Sequence, residues 1–97
     1  MQFLVKAYDG PDMLGKRMEV RPSHLEGMKA LGKQIICAGG LLDEEGKMKG
    51  SALVMEFPDR AALDAYLAGE PYVVAGVWQK IEVEVMNVVL VNGERRQ

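Results

Sequence analysis

The chain holds one cysteine and one histidine, Cys37 and His24, among its 97 residues. A lone cysteine closes no internal disulfide, and one Cys with one His cannot build a zinc site, so no metal is expected. Excess basic charge is also missing: twelve Lys and Arg stand against fourteen Asp and Glu, a net charge of −2. Without a basic field to neutralise phosphates, nucleic acid is disfavoured as a general partner. No apolar run approaches the ~20 residues of a membrane span, so no membrane association is expected. The start, Met1-Gln2-Phe3-Leu4-Val5-Lys6, lacks the apolar stretch of a signal peptide and reads directly as a strand. What remains, at 48% hydrophobic and 27% charged, is an ordinary globular composition. The expectation is a small cytoplasmic protein of one domain over residues 1–97.

Punctuation along the chain sets the order of elements. Phe3 to Tyr8 is a β-rich run ended by the turn signal Asp9-Gly10-Pro11-Asp12. Leu14 to Lys33 has helical spacing; Pro22 lacks an N–H and crowds the preceding turn, so the helix is expected to kink there or start afresh. Ile35 to Leu42 reads as a second strand, Asp43 to Lys49 as a turn and Ser51 to Phe57 as a third strand. Pro58-Asp59 opens a second helix with Asp59 as N-cap and Leu63, Tyr66 and Leu67 as its core stripe. Pro71 to Gly76 is a turn or short helical piece, Val77 to Val91 a long last strand, and residues 92–97 a frayed tail. This β-α-β, β-α-β order, with right-handed crossovers, gives a four-stranded antiparallel sheet with both helices on one face, the α+β ferredoxin-like arrangement.

Strands half-covered by helices should alternate apolar and polar residues. Instead Phe3-Leu4-Val5, Leu53-Val54-Met55 and Val88-Val89-Leu90-Val91 are apolar at consecutive positions. An apolar sheet face without helices is an association site. A homodimer with the two sheets face to face, or a larger homo-oligomer, is expected.

The first helix carries the pattern that points to chemistry. On a wheel at about 100° per residue, Leu14, Met18, Leu25, Met28 and Leu31 share one face. Arg17, Arg21 and His24, spaced i, i+4, i+7, fall inside that apolar sector. Buried arginine is costly unless its guanidinium is paired or lines a polar cavity. The cluster suits a cleft that takes an anion, with an arginine fork for a carboxylate or phosphate and a histidine to move a proton. The bland alternative pairs both arginines with Asp or Glu at the edge of the stripe and makes His24 a satisfied core histidine.

Gly69-Glu70-Pro71-Tyr72 is the second candidate. Gly69 can leave the helix in the left-handed conformation, and Pro71 holds Glu70 extended, presenting a carboxylate that either orients His24 or serves as a cap. Gly39-Gly40 is no phosphate loop, since no G-x-G-x-x-G follows; a bulge or a close approach of ligand to the backbone explains the pair. Cys37, between Ile36 and Ala38, reads as a small buried hydrophobe. Trp78 and Tyr72 wall the cavity or fill the core.

Three stretches together resemble the YciI-like family: Gly15 to Leu25 with Arg21-Pro22-Ser23-His24, then Ala38-Gly39-Gly40-Leu41, then Glu70-Pro71-Tyr72-Val73-Val74-Ala75-Gly76-Val77. The match covers nearly the whole chain in order and spacing. It implies a ferredoxin-like fold assembled as a dimeric α+β barrel, and a cleft in which the helix histidine and the Asp of a D-P-[FY] segment form a catalytic pair. That histidine is His24. Glu70 stands where the family carries Asp, so the carboxylate is one methylene further from the backbone.

The function expected from this reading is a small cofactor-independent enzyme of isomerase or lyase type, acting on a small anionic or aromatic molecule. His24 moves the proton and Glu70 orients it. Arg21, Arg17, Gly39, Gly40 and Tyr72 bind the substrate. The alternative is a non-catalytic dimeric module that binds a small ligand in the same cleft.

Overall fold

A computed structural model describes residues 1–96. Strands β1 (Gln2–Asp9), β2 (Ile35–Leu42), β3 (Met48–Glu56) and β4 (Trp78–Met86) form one antiparallel sheet in the order β2-β3-β1-β4. Helix α1 (Leu14–Leu31) crosses from β1 to β2, and α2 (Arg60–Gly69) with the single turn α3 (Pro71–Val74) crosses from β3 to β4. This is the ferredoxin-like α+β fold that the order of elements implied. The core lies between sheet and helices, where Phe3, Val5, Ala7, Leu53 and Met55 meet Leu63, Leu67 and Tyr72.

Local chemistry explains the joints. Asp43 closes the β2–β3 hairpin by accepting the Glu45 and Lys47 N–H groups at 2.8 and 3.0 Å, and Gly46 takes the positive φ that the turn needs. Asp59 caps α2 by accepting the Ala62 N–H at 2.8 Å. Gly50, opposite Tyr8 in the β1–β3 register, is closely approached by the Ala7 carbonyl, and a Cβ there would collide with that backbone.

Several expectations give way. Helix α1 is continuous through Pro22 and does not start afresh there. Its buried residues are Arg17 and His24; of the apolar stripe, Leu14, Met18 and Leu25 are exposed, while Met28 and Leu31 are half-buried against the core. Gly69 stays helical, and Glu70 ends α2 instead. Strand β3 begins at Met48, three residues before the expected Ser51. The last strand stops at Met86, and further on the chain folds back on itself: β5 (Leu90–Val91) pairs with β6 (Glu94–Arg95) around Asn92 and Gly93, both at positive φ. The segment expected to fray is thus a small hairpin, tied down by Arg96 N–H to the Val89 carbonyl at 2.7 Å; Gln97 lies outside the described residues. Cys37 is exposed, since a register shift in edge strand β2 between Ile35 and Cys37 sets it opposite Val54, on the side of the sheet away from the helices. The consecutive apolar residues of β1 and β3 alternate across the sheet: Phe3 and Leu53 face the helices, whereas Leu4, Ala52 and Val54 are half-buried on the other side.

Candidate active site

The unbroken register of α1 keeps Arg17, Arg21 and His24 along one side of a cleft of about 180 Å³. The edge of β2 at Ala38, Gly39 and Gly40 forms the opposite wall, and Tyr72 lies between. Gly40 faces the helix side, paired with Ser51; a Cβ there would meet the Met48 side chain at 3.5 Å, so the glycine keeps this wall thin.

Glu70 is set by two adjoining helices. Its backbone N–H closes the end of α2 on the Leu67 carbonyl, and Pro71 starts α3 with Glu70 extended before it. The side chain, 1% exposed, turns inward. Oε1 accepts from His24 Nδ1 at 2.7 Å and from the Tyr72 N–H at 3.0 Å, and Oε2 accepts from the Tyr66 hydroxyl at 2.6 Å. Burial alone would raise this carboxyl, but the hydrogen bonds from His24, Tyr66 and Tyr72 outweigh it and hold Glu70 below the ordinary range. An ionised carboxylate only accepts, so the proton on His24 sits at Nδ1. Nε2 has no protein partner among the described residues, and His24 lines the cleft.

The imidazole is held flat as well as hydrogen-bonded. It stacks on Tyr72 with centroids 4.0 Å apart and planes 17° from parallel, and Trp78 meets it edge-on at 5.5 Å. Trp78 stands behind the pair rather than in the cleft wall, and its buried Nε1 has no acceptor among the described residues. The Tyr72 hydroxyl has no protein partner among them either. Burial raises its pKa above the ordinary value although Arg17 and Arg21 pull it down, so at neutral pH it is a donor.

The two arginines differ. Arg17, 3% exposed, gives all its donors to protein: Nη1 to Asp9 at 3.2 Å, Nη2 to the Gly50 carbonyl at 2.9 Å and Ser51 Oγ at 2.7 Å, and Nε to Met48 Sδ at 3.4 Å. Asp9 is raised by burial in spite of this guanidinium. Arg21 lines the cleft, is exposed, and its fork has no partner among the described residues. Of the residues singled out in the sequence, His24, Glu70, Tyr72, Arg21, Gly39 and Gly40 meet at the cleft; Arg17 lines it as a fully bonded strut. Sequence reasoning passed over Asp9, read only as a turn residue, and Tyr66, read only as core. Tyr66 stands four residues before Glu70 on α2, a helical i, i+4 spacing that could have flagged it. Among the described residues, no three His, Cys, Asp or Glu side chains converge in a way that could hold a metal.

Three comparisons bear on this geometry. The YCII-related domain matches residues 1–87. Protein YciI of Escherichia coli O6:H1 (strain CFT073) is 30% identical, over 87% of this chain and 94% of that protein. Among solved structures, 5-chloro-2-hydroxyhydroquinone dehydrochlorinase from Burkholderia phenoliruptrix AC1100, in complex with 2,5-dihydroxybenzoquinone, superposes with a TM-score of 0.84 at 26% identity, covering 90% of this chain and 94% of that one. A crystal structure of an antibiotic biosynthesis monooxygenase shares the fold, with a TM-score of 0.56 at 18% identity over 92% of this chain and 98% of that one.

Proposed function

Because this chain belongs to the YCII-related domain family, we propose that its cleft catalyses proton transfer on a small, ring-shaped, anionic or hydroxylated molecule, by elimination or tautomerisation and without a cofactor. One observation carries the reading: His24 lines the cleft, is fixed through Nδ1 to the Glu70 carboxylate at 2.7 Å, and has an Nε2 with no protein partner among the described residues. Nε2 takes a proton from a hydroxyl or C–H of the substrate, and the Glu70 carboxylate stabilises the imidazolium that forms. The electron pair left behind moves onto a ring oxygen, where the Arg21 fork and the Tyr72 hydroxyl receive the charge. The pair then returns to expel a leaving group with its bonding electrons, or takes the proton back at another ring atom. The dehydrochlorinase likeness favours the first outcome. Gly39 and Gly40 let the ring lie against backbone.

Turnover of 5-chloro-2-hydroxyhydroquinone and binding of 2,5-dihydroxybenzoquinone, followed on the single imidazole by NMR, test this. The expected results are a shifted His24 resonance on binding, weaker binding in Arg21→Ala, and turnover lowered roughly 10²–10⁴-fold in His24→Ala. Full activity in His24→Ala ends the reading. Binding that survives His24→Gln, with no product from a panel of halogenated and hydroxylated rings, leaves the non-catalytic binding module in its place.

The same reading makes the protein a cytoplasmic homodimer joined through the open sheet face. Its support is the half-buried Leu4, Ala52 and Val54 beside the cross-strand Lys6 and Glu82, an apolar centre with matched charges. Sedimentation at micromolar concentration should give twice the chain mass; a monomer there removes the dimer.

A further inference from the structure

The carboxylate of Glu70 is held by three donors, and one of them comes from a residue that never reaches the cleft. Tyr66 is absent from the cleft lining, yet its hydroxyl makes the shortest of the three bonds, 2.6 Å to Oε2. A glutamate has one more rotatable bond than an aspartate, so its carboxylate needs more restraint to stand in one plane. With His24 and the Tyr72 N–H both on Oε1, two bonds to a single oxygen leave the carboxylate free to pivot about it. The Tyr66 bond to the other oxygen removes that freedom.

Tyr66 is itself anchored. Its ring stacks on Phe57 with centroids 5.7 Å apart and planes 29° from parallel. Phe57 is buried, and its backbone is tied by two bonds to the first residue, the Phe57 N–H to the Met1 carbonyl at 3.0 Å and the Met1 amine to the Phe57 carbonyl at 2.7 Å. The hydroxyl is thus presented by a rigid frame at the end of β3 rather than by a loose surface side chain.

We infer that Tyr66 is the positioning residue of the site, setting the plane and the basicity of the Glu70 carboxylate and through it the proton affinity of His24. A hydroxyl that shares the carboxylate's charge weakens its hold on an imidazolium. Removing the Tyr66 hydroxyl would therefore leave more of the carboxylate's charge to face His24. The inference rests on His24 and Glu70 working as a pair, but its readout is the imidazole itself, so it stands or falls apart from the turnover assay.

The experiment is a double-mutant cycle read by NMR titration of the one histidine. Tyr66→Phe keeps the ring on Phe57 and removes only the hydroxyl. In the otherwise native chain it should raise the His24 midpoint by about half a unit or more. Glu70→Asp withdraws the carboxylate by ~1.5 Å, the length of one C–C bond, out of reach of the Tyr66 hydroxyl. In that background Tyr66→Phe should leave the His24 midpoint unchanged. Either of two results overturns the inference: an unmoved midpoint in Tyr66→Phe alone, which makes the hydroxyl structural, or an equal shift with Asp at position 70, which means that it acts by another route. A denaturation curve on each variant keeps loss of fold separate from loss of positioning.

Discussion

Helices α1 and α2 occupy equivalent places in the two halves of the fold, yet they are built on opposite terms. Helix α2 follows the ordinary rules: Asp59 caps it, Leu63 and Leu67 are buried, and Arg60 and Asp64 pair across one turn on its exposed side. Helix α1 has no side-chain cap, contains a proline, buries an arginine and a histidine, and leaves Leu14, Met18 and Leu25 in the open. Burial of that kind is stable only where each polar group finds its partners. Arg17 finds them in Asp9, Gly50, Ser51 and Met48, and His24 in Glu70. Helix α2 thus keeps to local rules even though Tyr66 and Glu70 at its end serve the site, while α1 departs from them to bring Arg17 and His24 inward.

The largest test of this contrast is on stability. Arg17→Ala strands the buried Asp9 carboxylate and should cost about 3–5 kcal/mol, while Leu63→Ala opens a cavity at a cost of about 2–5 kcal/mol. The two should differ in their cure. Adding Asp9→Asn removes the stranded charge and should recover part of the Arg17→Ala loss in urea denaturation, and should recover nothing for Leu63→Ala. Equal behaviour of the pair would erase the distinction between the helices.

A second effect is pH dependence, which the contact where the end of α2 meets His24 of α1 should carry. Glu70 is lower in the fold than in the unfolded chain, so its contribution is full above the ordinary carboxylate range and is lost as pH falls through the folded value. Tyr66 works at the other end. Burial first, then its bond to Glu70, raises its hydroxyl, so above about pH 10 the unfolded chain ionises and the fold loses stability. Melting temperatures of Glu70→Gln should lack the acid limb set by that carboxyl. Those of Tyr66→Phe should lack the alkaline one.

The smallest expected effect sharpens the comparison on its exposed side. Met18→Ser should change monomer stability by no more than about 0.5 kcal/mol, the usual range for a surface position. A larger loss that grows with protein concentration would mean that the exposed face of α1 is covered by another copy.

Much of the fold was legible because it rests on local signals. Asp59 before an apolar period, the polar Asp43–Lys47 turn and the alternating Ile81-Glu82-Val83-Glu84 each act over a few residues, and each leads to the element observed. The site was legible for the same reason in reverse, since Arg17 and His24 stand out as misfits on the wheel of α1. The end of the chain was not, because β-propensity in Val88 to Val91 cannot say whether a strand continues or folds back on itself.

Residue types and spacings by themselves therefore determined the order of elements and the sheet with helices on one side, and the YciI-like resemblance added His24 with Glu70 as a pair. Tertiary structure alone decided which arginine is a strut and which has no partner among the described residues, and that Cys37 and Leu14, Met18 and Leu25 of α1 are exposed. It also brought Tyr66 to the second oxygen of Glu70. The physical reason is distance along the chain. A cap or a turn acts over three or four residues, but the bonds of Arg17 to Ser51 and of His24 to Glu70 join residues 34 and 46 positions apart. Nothing in a linear pattern says which distant group will arrive to meet a buried charge.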